Sequence, residues 1–164
     1  MGRAGATLAI LGVAACAERS IVVPPSNAPL LFEATAKGSM TYVCAGPEQP
    51  VWMGTRWFEE VLYDKQGQVV ATAGPHPYRW QANDGSTVTV ISIAREPSAS
   101  RGDLAAQLYA VQTHEGHGLL DRVKTVRWIK AKGGESPGLC KQIGTELRAE
   151  YTALYQFYGA GDWQ

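Results

Sequence analysis

The chain predicts an all-β fold, an antiparallel sandwich or small barrel of about eight or nine short strands. Three observations carry this expectation. Short runs rich in β-branched and aromatic residues recur along the chain, each bounded by turn residues. Asn83-Asp84-Gly85-Ser86 separates two such runs, and Asp-Gly supplies the positive φ angles of a tight primed hairpin turn. Near the end, Tyr151, Ala153, Tyr155 and Phe157 alternate as on a half-buried strand.

Residues 1–15 read as a lipoprotein signal peptide. Arg3 and the amino terminus form a weak positive region, and Ala6 to Ala15 form a short apolar one. About ten apolar residues span some 15 Å as a helix, half of a roughly 30 Å bilayer core, so this is no transmembrane helix. The run ends in Val13-Ala14-Ala15-Cys16, which resembles a bacterial lipobox, with Cys16 as the lipidation site. An ordinary cleaved signal with an incidental Cys16 is the alternative. Residues 16–29 then form a lipidated tether, with Pro24 and Pro25 favouring an extended course. Residues 30–164 form a single β domain, large enough for a real core. This places the protein in the cell envelope as a periplasmic lipoprotein. Ala17, which is not Asp, points to the outer membrane by resemblance to other lipoproteins.

The strands follow in order. Leu30 to Ala36 and Met40 to Cys44 flank Lys37-Gly38-Ser39, a plausible tight turn. Trp57 to Tyr63 and Gln68 to Ala73 flank Asp64-Lys65-Gln66-Gly67. Tyr78 to Ala82 and Thr87 to Ala94 flank the Asn83–Ser86 turn. Leu108 to Thr113 and Val123 to Ala131 are rich enough in β-branched and aromatic residues to be strands. Gly133-Gly134 and Pro137-Gly138 break the chain before Cys140. The last stretch also fits a helical spacing through Ile143, Leu147, Tyr151, Leu154, Tyr155 and Tyr158, but its aromatic density favours a strand.

The 164 residues carry 15 basic and 15 acidic side chains. Loss of Arg3 with the leader leaves a net charge near −1, and no Lys/Arg block argues for nucleic acid. If Cys16 carries lipid, Cys44 and Cys140 remain with one possible pairing. Export favours a disulfide, and two buried free thiols are the alternative.

Candidate chemistry is sparse. His114-Glu115-Gly116-His117 is the one close histidine pair, but it sits in a glycine-containing turn. A zinc site would need further ligands, with only His76 to spare. No Gly-x-Ser-x-Gly elbow is present. Glu59-Glu60 puts one carboxylate on each face of a strand, so the two do not converge. Neither a metal nor a cofactor is expected. The five tryptophans and seven tyrosines are many for a small domain. Such rings line small-molecule or sugar sites and also ordinary β cores. Trp57 and Trp80 read first as core. Trp52, in a loop flanked by Pro and Gly, is balanced between the two. The candidate ligand contacts are Trp52, His76, Trp80 and His114.

Several stretches together resemble the domain of unknown function 3455 family. These are Tyr42-Val43-Cys44 preceded by Lys37-Gly38, Trp80 to Ser86, and His114 with Gly116 and Gly118. Gly133-Gly134 with Pro137 and Cys140, and Tyr151-Thr152-Ala153 with Tyr155, Phe157 and Tyr158, complete the set. The resemblance runs from about Pro24 to Tyr158. It implies an exported, largely β domain, a Cys44–Cys140 bond and a final strand, and it implies no established activity. The chain departs from the pattern at Trp128 to Ala131, at His117 and over Gly74 to Arg79, which puts any ligand contact there in doubt. Some members carry the label malate dehydrogenase, yet this chain has no Gly-x-Gly-x-x-Gly between a strand and a helix. The expected function is a non-enzymatic binding or structural module, held at the membrane by its N-terminal lipid, with a small-molecule or envelope protein partner. The alternative is an envelope enzyme acting on a small molecule or glycan.

Overall fold

The computed structural model describes residues 20–74 and 78–163, with the side chains of Arg56 and Trp57 left out. Cys16 and His76 therefore lie outside the described residues, as does the Trp57 ring. Eight strands follow one another: β1 (Leu30–Ala45), β2 (Val51–Tyr63), β3 (Val69–Ala73), β4 (Arg79–Ala82), β5 (Thr87–Glu96), β6 (Ala106–Glu115), β7 (Thr125–Gly133) and β8 (Glu146–Tyr158). Each pairs antiparallel with the next, and β8 returns to β1, closing a barrel. No helix occurs among the described residues. The sandwich-or-barrel choice is thus resolved in favour of the barrel.

Alternation along the strands sets the interior. Ala34, Ala36, Ala71, Ala82 and Ala153 face inward beside Leu62, Trp80, Val126, Tyr155 and Phe157. Small residues opposite large rings let a narrow barrel fill without overpacking. The described connections between strands fall at two ends. One end carries the 64–68, 83–86 and 116–124 connections and is plugged by Leu120 and Val123, both fully buried. The other carries the 46–50, 97–105 and 134–145 connections, and there Cys44 and Cys140 are disulfide-bonded with their Cα atoms 5.8 Å apart.

Two local expectations are corrected. Lys37-Gly38-Ser39 is not a turn: β1 runs straight through it. A Cβ on Gly38 would lie 2.7 Å from the Glu59 carbonyl oxygen, 2.7 Å from the Glu60 Cβ and 2.8 Å from the Tyr151 Cζ. The glycine is there for close approach of neighbouring chains, not for a reversal. The Asn83–Ser86 hairpin is present, but in a three-residue form. The Ala82 N–H donates to the Ser86 carbonyl and the Gly85 N–H to the Ala82 carbonyl. Only Gly85 takes a positive φ, of 86°. This is the type I turn with a left-handed bulge residue, not the primed two-residue turn. Nothing lies within 4 Å of a Cβ placed on Gly85. Gly85→Ala should therefore act through φ alone and lower stability by about 1 kcal/mol. Urea unfolding would check this; an unchanged midpoint would show that the turn tolerates a side chain.

Residues 20–26, read as part of a tether, lie along the barrel wall. The Ser20 hydroxyl and the Ile21 N–H both donate to Glu96, at 2.7 and 2.9 Å. Val22 is buried, and Ser26 bridges to Asp162.

Candidate functional site

The strands that form the open end leave a cavity of about 790 Å³ inside the barrel. Its wall is built from inward residues of β1, β2, β4, β6, β7 and β8: Tyr42, Phe58, Trp80, Tyr109, Trp128 and Tyr155 among them. Arg95, Gln107 and Glu135 supply polar groups toward the mouth. The rings pack against one another in fixed geometry. Trp80 meets Tyr109 and Tyr155 edge-on, each with centroids 5.6 Å apart, and Trp128 stacks parallel to Tyr155 at 6.1 Å. The Tyr42 hydroxyl donates to the Gly134 carbonyl at 2.7 Å, tying the wall to the disulfide-held 134–145 connection.

Two of the rings lining the cavity, Tyr151 and Tyr155, are bonded to one buried carboxylate. Glu60 on β2 is 3% exposed. It accepts a hydrogen bond from the Tyr155 hydroxyl at 2.6 Å on one oxygen and from the Tyr151 hydroxyl at 2.9 Å on the other. Gly38 makes this possible. It pairs with Glu60 on one side and with Tyr151 on the other, so the three form a row across β2, β1 and β8. With no side chain in the middle, the Tyr151 hydroxyl reaches over β1 to Glu60. Burial pushes the Glu60 carboxyl up to about 7, against the hydrogen bonds from Tyr155 and Tyr151. The nearby Trp80 indole pulls the same way as the tyrosines, though its Nε1 is buried and makes no hydrogen bond of normal geometry. Burial, and then the Glu60 charge, raise the Tyr151 and Tyr155 hydroxyls well above their usual range, so both stay protonated as donors.

Of the ligand contacts expected from sequence, Trp80 lines this cavity, Trp52 and His114 do not, and His76 is not among the described residues. Trp52 is in β2 rather than a loop. It pairs with Cys44, and its N–H donates to the Gly138 carbonyl at 2.8 Å. His114 is on β6 at the plugged end, where its Nε2 meets the Val123 carbonyl at 2.6 Å. That contact helps seat the 116–124 connection. Asp84 does the same: it accepts from the Leu119 N–H at 2.6 Å and from the Ser86 hydroxyl at 2.6 Å. The glycine-flanked His117 stretch thus belongs to a structural plug. No cluster of three metal-ligating side chains occurs among the described residues.

Sequence reasoning passed over Glu60 because Glu59-Glu60 splits across two faces. It does split: Glu59 is outside, 3.6 Å from Arg148, and Glu60 is inside. The usable signal was the alternation Phe58, Glu60, Leu62, which puts a carboxylate at a core position. A charged group there needs partners. The alternating tyrosines of β8 are those partners.

Neither the curated proteins nor the solved structures gave a match to the chain. One family does match, described as a protein of unknown function, DUF3455, over residues 24–159. That span takes in all eight strands, both bonded cysteines and every residue of the Glu60 network. The chain belongs to the DUF3455 family of proteins of unknown function.

Proposed function

We propose that this protein is a non-enzymatic binding module of the cell envelope, anchored through lipid on Cys16, that holds a small, largely apolar molecule inside its barrel. The observation that carries the reading is the aromatic-walled cavity of about 790 Å³, within the usual range for small-molecule sites. Eight-stranded barrels are wide enough to hold one such ligand. Its wall of aromatic rings, Phe58, Tyr109 and Trp128 among them, suits a flat or ring-containing body. Arg95, Gln107 and Glu135 near the mouth suit a polar end left toward solvent. Glu60 supports binding over catalysis, because it is 3% exposed and is not among the residues that line the cavity.

The test uses the fluorescent probe N-phenyl-1-naphthylamine. Gly54 lines the cavity, and a Cβ there makes only ordinary contact, 3.5 Å from Tyr42. Gly54→Trp should plug the mouth while the disulfide and the β-sheet circular dichroism stay intact. The full chain should bind the probe with enhanced emission, and Gly54→Trp should lose it. Equal binding by the two proteins, or none by either, would overturn the cavity as a ligand site.

A further inference from the structure

The direction in which the chain enters the barrel has a bearing on the cavity. Glu96 ends β5 at the open end, and Ser20 and Ile21 are bonded to it. Ser26, six residues on, is bonded to Asp162 at the plugged end. Residues 20–26 thus run the height of the barrel, about 20 Å of extended chain, from the open end to the plugged one. The described chain therefore begins at the open end, with Ser20. Cys16 is four residues away, a reach of at most about 14 Å.

The same end carries an apolar patch. Val51 bridges to Leu139, Met53 follows two residues along β2, and Ile143 sits in the connection whose Gly144 N–H donates to the Cys44 carbonyl. These side chains are 37%, 64%, 56% and 59% exposed respectively. Leu30, Val69, Leu119 and Trp163 are exposed at the opposite end, but that end is plugged and lies away from Ser20.

We infer that the mouth of the barrel rests on the bilayer that holds Cys16, with Val51, Met53, Leu139 and Ile143 in contact with it, and that the cavity takes up an amphiphilic lipid from that bilayer. This rests on the anchoring and cavity readings above. The short reach from Cys16 leaves the open end as the nearest face to the membrane. The exposed side chains add buried apolar area to the anchor and fix which face of the barrel meets the bilayer. A mouth held at the headgroup level lets an apolar molecule pass from acyl chains to aromatic wall without crossing water, which is the step such a molecule resists most. The polar mouth residues then meet its head.

The experiment uses the acylated full chain in vesicles of phosphatidylethanolamine and phosphatidylglycerol doped with a lipid bearing a diazirine on its acyl chain. Mass spectrometry first reads the acyl group on Cys16; its absence overturns both the anchoring and this proposal, while probe binding in the cavity would survive. After illumination, lipid adducts should map to Val51, Met53, Leu139 and Ile143 at the rim, and to Met40 and Phe58 inside. They should be missing from Val69 and Leu119. Gly54→Trp should lose the interior adducts and keep the rim ones. Adducts at the plugged end, or spread evenly around the barrel, would overturn the orientation. Rim adducts without interior ones would overturn lipid uptake, even where the probe still binds.

Discussion

Replacing Cys44 and Cys140 together with serine should remove about 4 kcal/mol of stability. The bond closes a loop between residues 96 apart in sequence, and on the chain-entropy account a loop of that size contributes roughly 4–5 kcal/mol. For a domain of this size the loss is a fall of roughly 8–16 °C in melting temperature. It is also a large share of the 5–15 kcal/mol that single domains typically have in hand. The effect should extend to binding. The 134–145 connection carries Glu135 at the mouth and the Gly134 carbonyl that accepts from Tyr42. Thermal melts of the native and double-serine proteins, with the probe titration repeated on each, would check both consequences. A melting temperature unmoved by loss of the bond would show that the cross-link is incidental to the fold.

Glu60 should make stability fall as pH rises from about 4.5 to about 7. Its carboxyl titrates near 7 in the folded protein, against 4.5 for the free group. The folded state therefore holds the proton more tightly than the unfolded state. The stabilising contribution is complete below pH 4.5 and is lost as pH passes through 7, where the buried charge must form. A difference of this size is worth about 3 kcal/mol. Glu60→Gln keeps the shape, lets one tyrosine donate to its carbonyl and the other accept from its amide, and cannot ionise. Its urea midpoint should match the native protein's at pH 4.5 and exceed it at pH 8. If the two proteins follow the same pH curve, Glu60 is already ionised in the fold without cost, and the account of Glu60 as a buried acid fails.

Much of the fold was legible in local pattern. The hairpin at Asn83 to Ser86 and the alternation of Tyr151 to Phe157 announced themselves through turn chemistry and period two. The choice between sandwich and barrel did not. It depends on β1 finding β8, a pairing between segments more than a hundred residues apart that leaves no trace in either one alone. Gly38 shows the same limit from the other side. Lys-Gly-Ser has the composition of a turn, and only the arrival of Glu60 and Tyr151 on either side explains the glycine as clearance. Of the site, Trp80 was named and its cavity partners were not. Trp52 and His114 drew attention because aromatics and histidines stand out by type. The residues that matter to the cavity stand out by position, as inward members of six different strands.

The seam between β1 and β8 governs how the molecule can come into being. Its ladder runs from Leu30↔Tyr158 to Val43↔Glu146, joining nearly the first strand residue made to nearly the last. Every other pairing is with the next strand along and can form as soon as that strand exists. Until β8 emerges, β1 and β7 each present a raw edge of free N–H and C=O groups, the kind that recruits other chains. A chain cut short before Glu146 would not be a smaller barrel. It would be a curled sheet with two sticky margins. Completion of the final 13-residue strand is therefore the step that turns an aggregation hazard into a sealed vessel. The Cys44–Cys140 bond sits at one end of this same seam, where it can latch the closure once made.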